Sequence, residues 1–121
     1  MTVGVAAASA NSFVDGITSG VYLQQHTGDP GAAGTANQGG DTTRIALTFP
    51  SASGGSATQT GSATLSSWAG GSQTLSHGSM WSASTGGTFR GSLAYTTSRA
   101  VVNNDDIVAS GLVVSVSPVA A

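Results

Sequence analysis

The chain has 121 residues, enough for one domain with one modest core, and charged residues make up only 7% of it, against about 25% in ordinary soluble proteins. It contains no Lys and no Glu: Arg44, Arg90 and Arg99 stand against Asp15, Asp29, Asp41, Asp105 and Asp106, and a net charge of −2 without a basic run excludes nucleic acid as a partner. With no cysteine there is no disulfide framework or thiolate chemistry, and no apolar run approaches the roughly 20 residues of a membrane span.

In chain order, residues 1–10 are small and apolar, without the basic start and long apolar run of a secretory signal, and read as an extended arm. Asn11 is a suitable N-cap, and Phe13, Val14 and Ile17 share a face at helical spacing before Gly20, which predicts a short helix over 12–19. Val21, Tyr22 and Leu23 open a strand ending at His26. The turn segment Thr27, Gly28, Asp29, Pro30 and Gly31 follows, because Pro30 removes a ladder donor and Asp29 can accept backbone hydrogen bonds. Residues 32–41 show no periodicity and read as a surface loop.

Over 44–49 the pattern alternates, with Ile45, Leu47 and Phe49 on one face. Residues 57–68 form a weak Ser/Thr-rich strand, closing at Trp68 before Gly70 and Gly71. Leu75, His77, Ser79 and Trp81 then alternate with Ser76, Gly78 and Met80. Across the Ser84-Thr85-Gly86-Gly87 turn they face Phe89, Gly91, Leu93 and Tyr95, which predicts a hairpin of 73–81 with 88–96. Asn103 to Asp106 is a polar loop, and Leu112, Val114 and Val116 make the last strand.

About seven short strands with one apolar face each require two sheets or a closed barrel, so the expectation is an all-β, jelly-roll-like antiparallel sandwich filling 1–121, with a short N-terminal helix. Its core is expected from Leu23, Ile45, Leu47, Phe49, Leu75, Trp81, Phe89, Leu93, Tyr95, Leu112 and Val114. In this reading Trp81 shares a strand face with Leu75 and packs across onto Phe89, Leu93 and Tyr95.

Catalytic chemistry has little to stand on. His26 and His77 with scattered Asp residues fall short of the three or four ligands of a zinc site, no G-x-S-x-G elbow is present, and adjacent Asp105 and Asp106 suit turn caps better than an acid–base couple. No enzyme, metal or cofactor is expected. Tyr22, Tyr95, Trp68 and Trp81 could stack on sugars if exposed, with Trp68, at a strand end, the freest candidate.

The stretch from His26 through Thr27-Gly28-Asp29-Pro30-Gly31 to Gly34-Thr35-Ala36-Asn37 resembles an H-T-G-D-P-G…G-T-A-N segment of small structural proteins of actinobacterial and other tailed phages, variously called minor tail, tail fibre or minor capsid proteins. Arg44 to Phe49, His77-Gly78 to Trp81, and Thr85-Gly86-Gly87 with Gly91-Ser92-Leu93 resemble later segments of the family in the same order, so the likeness spans 11 to about 116. The family's leading helix is longer, and a Gly-Asp turn is usual where Asn103 to Asp106 stand. The resemblance implies a non-catalytic virion component, either a head-decoration protein or a tail-tip or fibre module.

Low charge and a thin core add the expectation of self-association, as a homotrimer, and of partners among virion proteins such as the major capsid protein or tail proteins. Composition biased by a G+C-rich genome accounts for the low charge equally well and is compatible with this. The competing reading is a carbohydrate-binding module that contacts the host surface.

Overall fold

The computed structural model describes residues 5–116. Its elements are α1 (Ala7–Thr18), β1 (Tyr22–His26), β2 (Ile45–Ala46), β3 (Ser56–Thr58), β4 (Ser62–Leu65), β5 (Gln73–Trp81), β6 (Phe89–Val101), β7 (Ile107–Ser110) and β8 (Val113–Ser115). Four strands form an antiparallel sheet in the order β2-β1-β5-β6, and two antiparallel ribbons, β3–β8 and β4–β7, complete an all-β, sandwich-like architecture with a short N-terminal helix.

The helix begins four residues before the cap suggested by Asn11. Ala6 is its N-cap and supplies no side-chain hydrogen bond, while Asn11 lies inside the helix and its Oδ1 accepts the Gly55 amide at 2.8 Å. Residues 7–10 are therefore helical rather than an arm, since Ala-rich sequence suits a helix interior; residues 1–4 of that proposed arm lie outside the described part. The buried stripe is Ala10, Val14 and Thr18, four apart, and it leaves Phe13 61% exposed. Gly20, at φ +57°, supplies the left-handed turn after the helix. Arg90 of β6 ties this end down by donating to the Ile17 and Ser19 carbonyls, oxygens that the helix itself leaves unpaired.

The 57–68 segment is two strands, β3 and β4, broken at Gly61, and regular pairing in 44–49 covers only Ile45 and Ala46. At the C-terminal end β7 precedes the expected last strand and pairs with β4. The anticipated hairpin is β5 with β6, although β6 runs on to Val101.

Two register shifts in that hairpin, between Leu75 and His77 and between Met80 and Trp81, change which side chains share a face. At the first the pairing advances two residues on β5 against five on β6, and at the second one against two, so β6 holds an odd number of extra residues each time and the alternation across the pair reverses. Leu75 joins Leu23, Met80, Val21, Ile45, Leu47, Leu65, Trp68, Val101 and Ile107 in the main core, with Phe49, Leu93, Tyr95 and Leu112 packed partly buried against it. Trp81 and Phe89 do not share this face, contrary to the simple alternation. They stand on the other side of the sheet, ring centroids 5.4 Å apart, and Phe89 and Val114 are only half-buried. Trp68, 1% exposed, is the largest fully buried side chain; its Nε1–H donates to the Gly71 carbonyl at 2.7 Å.

Candidate functional site

The second face of the sheet is covered by the loop of residues 27–41. Its first turn is built as an Asx turn: Asp29 Oδ1 accepts the Gly31 amide at 2.9 Å, and the Asp29 carbonyl accepts Asn37 Nδ2 at 3.0 Å. Thr27 pairs with the Asn37 carbonyl and Ala36 with the Pro30 carbonyl, so the loop closes on itself and drives Pro30 into full burial. Gly28 packs against the Asn37 side chain, and Gly34, at φ +75°, lies so close beneath the Phe89 ring that a Cβ there would overlap it.

Under this loop runs a chain of buried polar groups. His26 is 0% exposed, with Nδ1 at 2.9 Å from the Ala36 carbonyl and Nε2 at 2.7 Å from Ser79 Oγ. A carbonyl can only accept, so Nδ1 carries the proton and Nε2 accepts from the Ser79 hydroxyl. Ser79 Oγ in turn accepts the Trp81 indole N–H at 2.7 Å. Burial pushes the His26 pKa down, against its backbone hydrogen bonds, and favours this neutral tautomer. Ser79, itself 0% exposed, has its hydroxyl engaged on both sides, so His26 and Ser79 brace the loop rather than form an accessible nucleophile. Arg44 caps Trp81, its guanidinium carbon 4.1 Å from the ring centroid.

The Asp residues act as backbone acceptors. Asp105 takes the Val102 amide and Asp106 the Ser67 amide, while Asn103 takes the Gly71 amide, so the polar loop clamps the Trp68 region. Burial pushes the Asp41 carboxyl up, but hydrogen bonds from Thr43 and the Ala69 amide outweigh it and hold the pKa below its ordinary value. Among the described residues, no group of three or more His, Asp or Glu could hold a metal ion. Both tryptophans are buried, at 1% and 8% exposure, which removes them as sugar-stacking platforms.

The opposite side of the sandwich is open. β2, β3 and β4 each pair with a single strand, and so do β6, β7 and β8, whose residues line this side. Between them lie two clefts, of about 220 and 320 Å³. One is lined by Leu23, Leu75, Tyr95 and Leu112, the other by Phe49, Met80, Leu93 and Val114. Val108 and Val113 stand at this rim, 53% and 59% exposed. Tyr95 bridges inward, donating its hydroxyl to Gln25 Oε1, and burial pushes its pKa up to about 12.

Strand alternation located most of these apolar residues, but the free edges and the clefts arise from the pairing and have no local signature. A search of curated proteins returns no significant match. Residues 8–116 match the family model described as "Podophage GP4 fiber I protein gp80".

Proposed function

Because the chain belongs to the podophage GP4 fiber I protein gp80 family, and so to a family of virion components, we propose that it is a non-catalytic structural module of a tail fibre that works by self-association through its open side. The observation that carries this is β6: thirteen residues of edge strand, flanked by apolar clefts and by exposed Val108 and Val113. A long free edge beside apolar surface is a template for another chain, and isolated proteins usually blunt such edges with charge. Here the charge is largely missing: along β6 only Arg90 and Arg99 are charged, and both are bonded to backbone carbonyls.

Three copies closing about a rotation axis would place each open side against its neighbour, as a fibre requires. The family description favours the tail over head decoration, and the resemblance of the H-T-G-D-P-G segment to actinobacterial phage proteins suits the same reading. Assembly would take place in the host cytoplasm, with other tail proteins as neighbours. The buried and saturated Ser79 supports the absence of catalysis.

Light scattering on the purified chain tests the proposal. A trimer is expected, and Val108→Asp with Val113→Asp should yield folded monomers, because desolvating a carboxylate at an interface is strongly unfavourable. A wild-type chain that stays monomeric both alone and with fibre proteins would overturn it.

A further inference from the structure

In a closed ring of three, a surface of one copy meets a different surface of the next, because only a two-fold axis pairs a patch with itself. The open side of the sandwich therefore needs a counterpart elsewhere on the same chain. Among the described residues the large apolar side chains left exposed are Phe13, Val102, Val108 and Val113. Val108 and Val113 belong to the open side itself, and Val102 opens the polar loop that clamps the Trp68 region. That leaves Phe13, the most exposed of the four at 61%.

The way α1 is laid down makes this exposure informative. The helix packs on β3 and β8 with Ala10, Val14 and Thr18 turned inward, and its one aromatic ring faces water. The chain has only three Phe, so filling the buried stripe with alanine and threonine while holding a phenyl ring outside forgoes apolar burial that folding alone would reward. Docking against another copy recovers it.

Of the two clefts, the larger is partly walled by Ile17, one helical turn along from Phe13, and so belongs to the patch that carries the ring. The smaller cleft, of about 220 Å³, is lined by no residue of α1. Its walls include Leu23, Leu75, Ile107 and Leu112, with Tyr95 supplying an aromatic face; Tyr95 is held by its hydrogen bond to Gln25, so the cleft is preformed. An apolar cavity of about 150 Å³ is enough to hold benzene, so this cleft has room for a phenyl ring. The two surfaces also differ in the sign of their charge. Arg99 is the one charged residue lining the cleft and donates to a neutral carbonyl, that of Asp106, whereas Asp15 is the one charged residue of α1. Asp15 lies two residues from Phe13 and so on another side of the helix, where it steers the approach without entering the cleft.

Resting on the assembly reading, we propose that the partner of the open side is α1 of the next copy, with Phe13 seated in the cleft formed by Leu23, Leu75, Tyr95 and Leu112. Each copy then offers one ring and one cleft, and three such contacts close the trimer with none left over.

Sedimentation velocity on the full chain, as wild type and as Phe13→Ala, reads the contact. Truncating an anchor residue of an interface raises Kd by at least about thirtyfold, so Phe13→Ala is expected to move trimers to monomers. Its circular dichroism should stay that of the wild type, since the ring is exposed within the single chain. A wild-type trimer that Phe13→Ala leaves intact would overturn the docking of Phe13 and leave the assembly reading standing, whereas a chain that is monomeric in the wild type overturns both. Because the protein contains no cysteine, a cross-link gives a second measurement: Ser12→Cys, exposed and beside Phe13, and Val108→Cys, at the rim of the cleft, are introduced into separate chains. Co-expressed and oxidised, the two variants should form a covalent dimer that neither forms alone. Disulfide-linked dimers of either variant by itself would mean two-fold packing and refute the inference, as would the absence of any cross-link in a mixture that sediments as trimers.

Discussion

Replacing Ser79 by Ala deletes one oxygen from the middle of the chain that runs from Trp81 to His26 and on to Ala36. The site is 0% exposed, so water cannot enter to take its place without opening the loop of residues 27–41. Two groups then lose their partner together: the Trp81 indole N–H and His26 Nε2. A buried polar group left unsatisfied costs about 1 to 3 kcal/mol, so the substitution should destabilise the fold by about 2 to 6 kcal/mol, a large share of the ~5 to 15 kcal/mol that holds a domain together. Urea unfolding followed by far-ultraviolet circular dichroism measures the loss. Ser79→Cys, which retains a weak donor and a similar volume, should fall between wild type and Ser79→Ala. A loss below about 0.5 kcal/mol for Ser79→Ala would refute the reasoning, since it would mean that the chain contributes no net stability.

Lowering the pH acts on the same groups. The His26 pKa is depressed in the fold, so the unfolded chain binds the proton more readily; stability is complete above the unfolded value of about 6.5 and declines as the pH falls below it, and acid melts should show this decline reduced in His26→Gln. At the alkaline end Tyr95 is raised to about 12, so stability is complete below about pH 10 and is lost from there towards 12, with Tyr95→Phe flattening the slope in an absorbance-monitored titration. Asp29→Ala removes one exposed acceptor from the Asx turn and should cost about 1 kcal/mol, with melts identical in the presence and absence of a chelator; a chelator-dependent melt would reveal a bound cation instead.

How far the sequence reaches is shown by particular strands. Alternation over Leu93 and Tyr95 and over Ile45 and Leu47 was legible because the hydrophobic period of a strand is local. The faces of Trp81 and Phe89 were not, because each lies beyond a bulge, and a bulge depends on the partner strand rather than on the residues beside it. Trp68 carried a faint signal, a large ring placed just before Gly70 and Gly71: Gly70 lies so close to the indole that a Cβ there would overlap it, and the Gly71 carbonyl accepts the indole N–H. The helix start was hidden because Ala6 caps it without a side-chain hydrogen bond. Of the residues around Trp81, Arg44 was conspicuous as one of three cations, whereas nothing local distinguishes Gln24 from Gln25. Yet Gln24 is left with an orphaned donor on one face, and Gln25 takes the Tyr95 hydroxyl on the other.

The strand pairings also set the order in which this chain can mature. Tyr22 pairs with Trp81 and Ser56 with Ser115, so the sheet and the ribbon each join segments about half the chain length apart. Loops of that span must close before their contacts repay the entropy lost, which puts folding in the slow, millisecond-to-second range of non-local β topologies. During synthesis β3 waits for β8, which follows it only after β4 to β7 have been made. Until then Ala57 of β3 and the stripe of α1 that packs against both strands stay uncovered. β6, by contrast, meets its one partner β5 through a short turn, so that hairpin can form while the β3–β8 ribbon is still open.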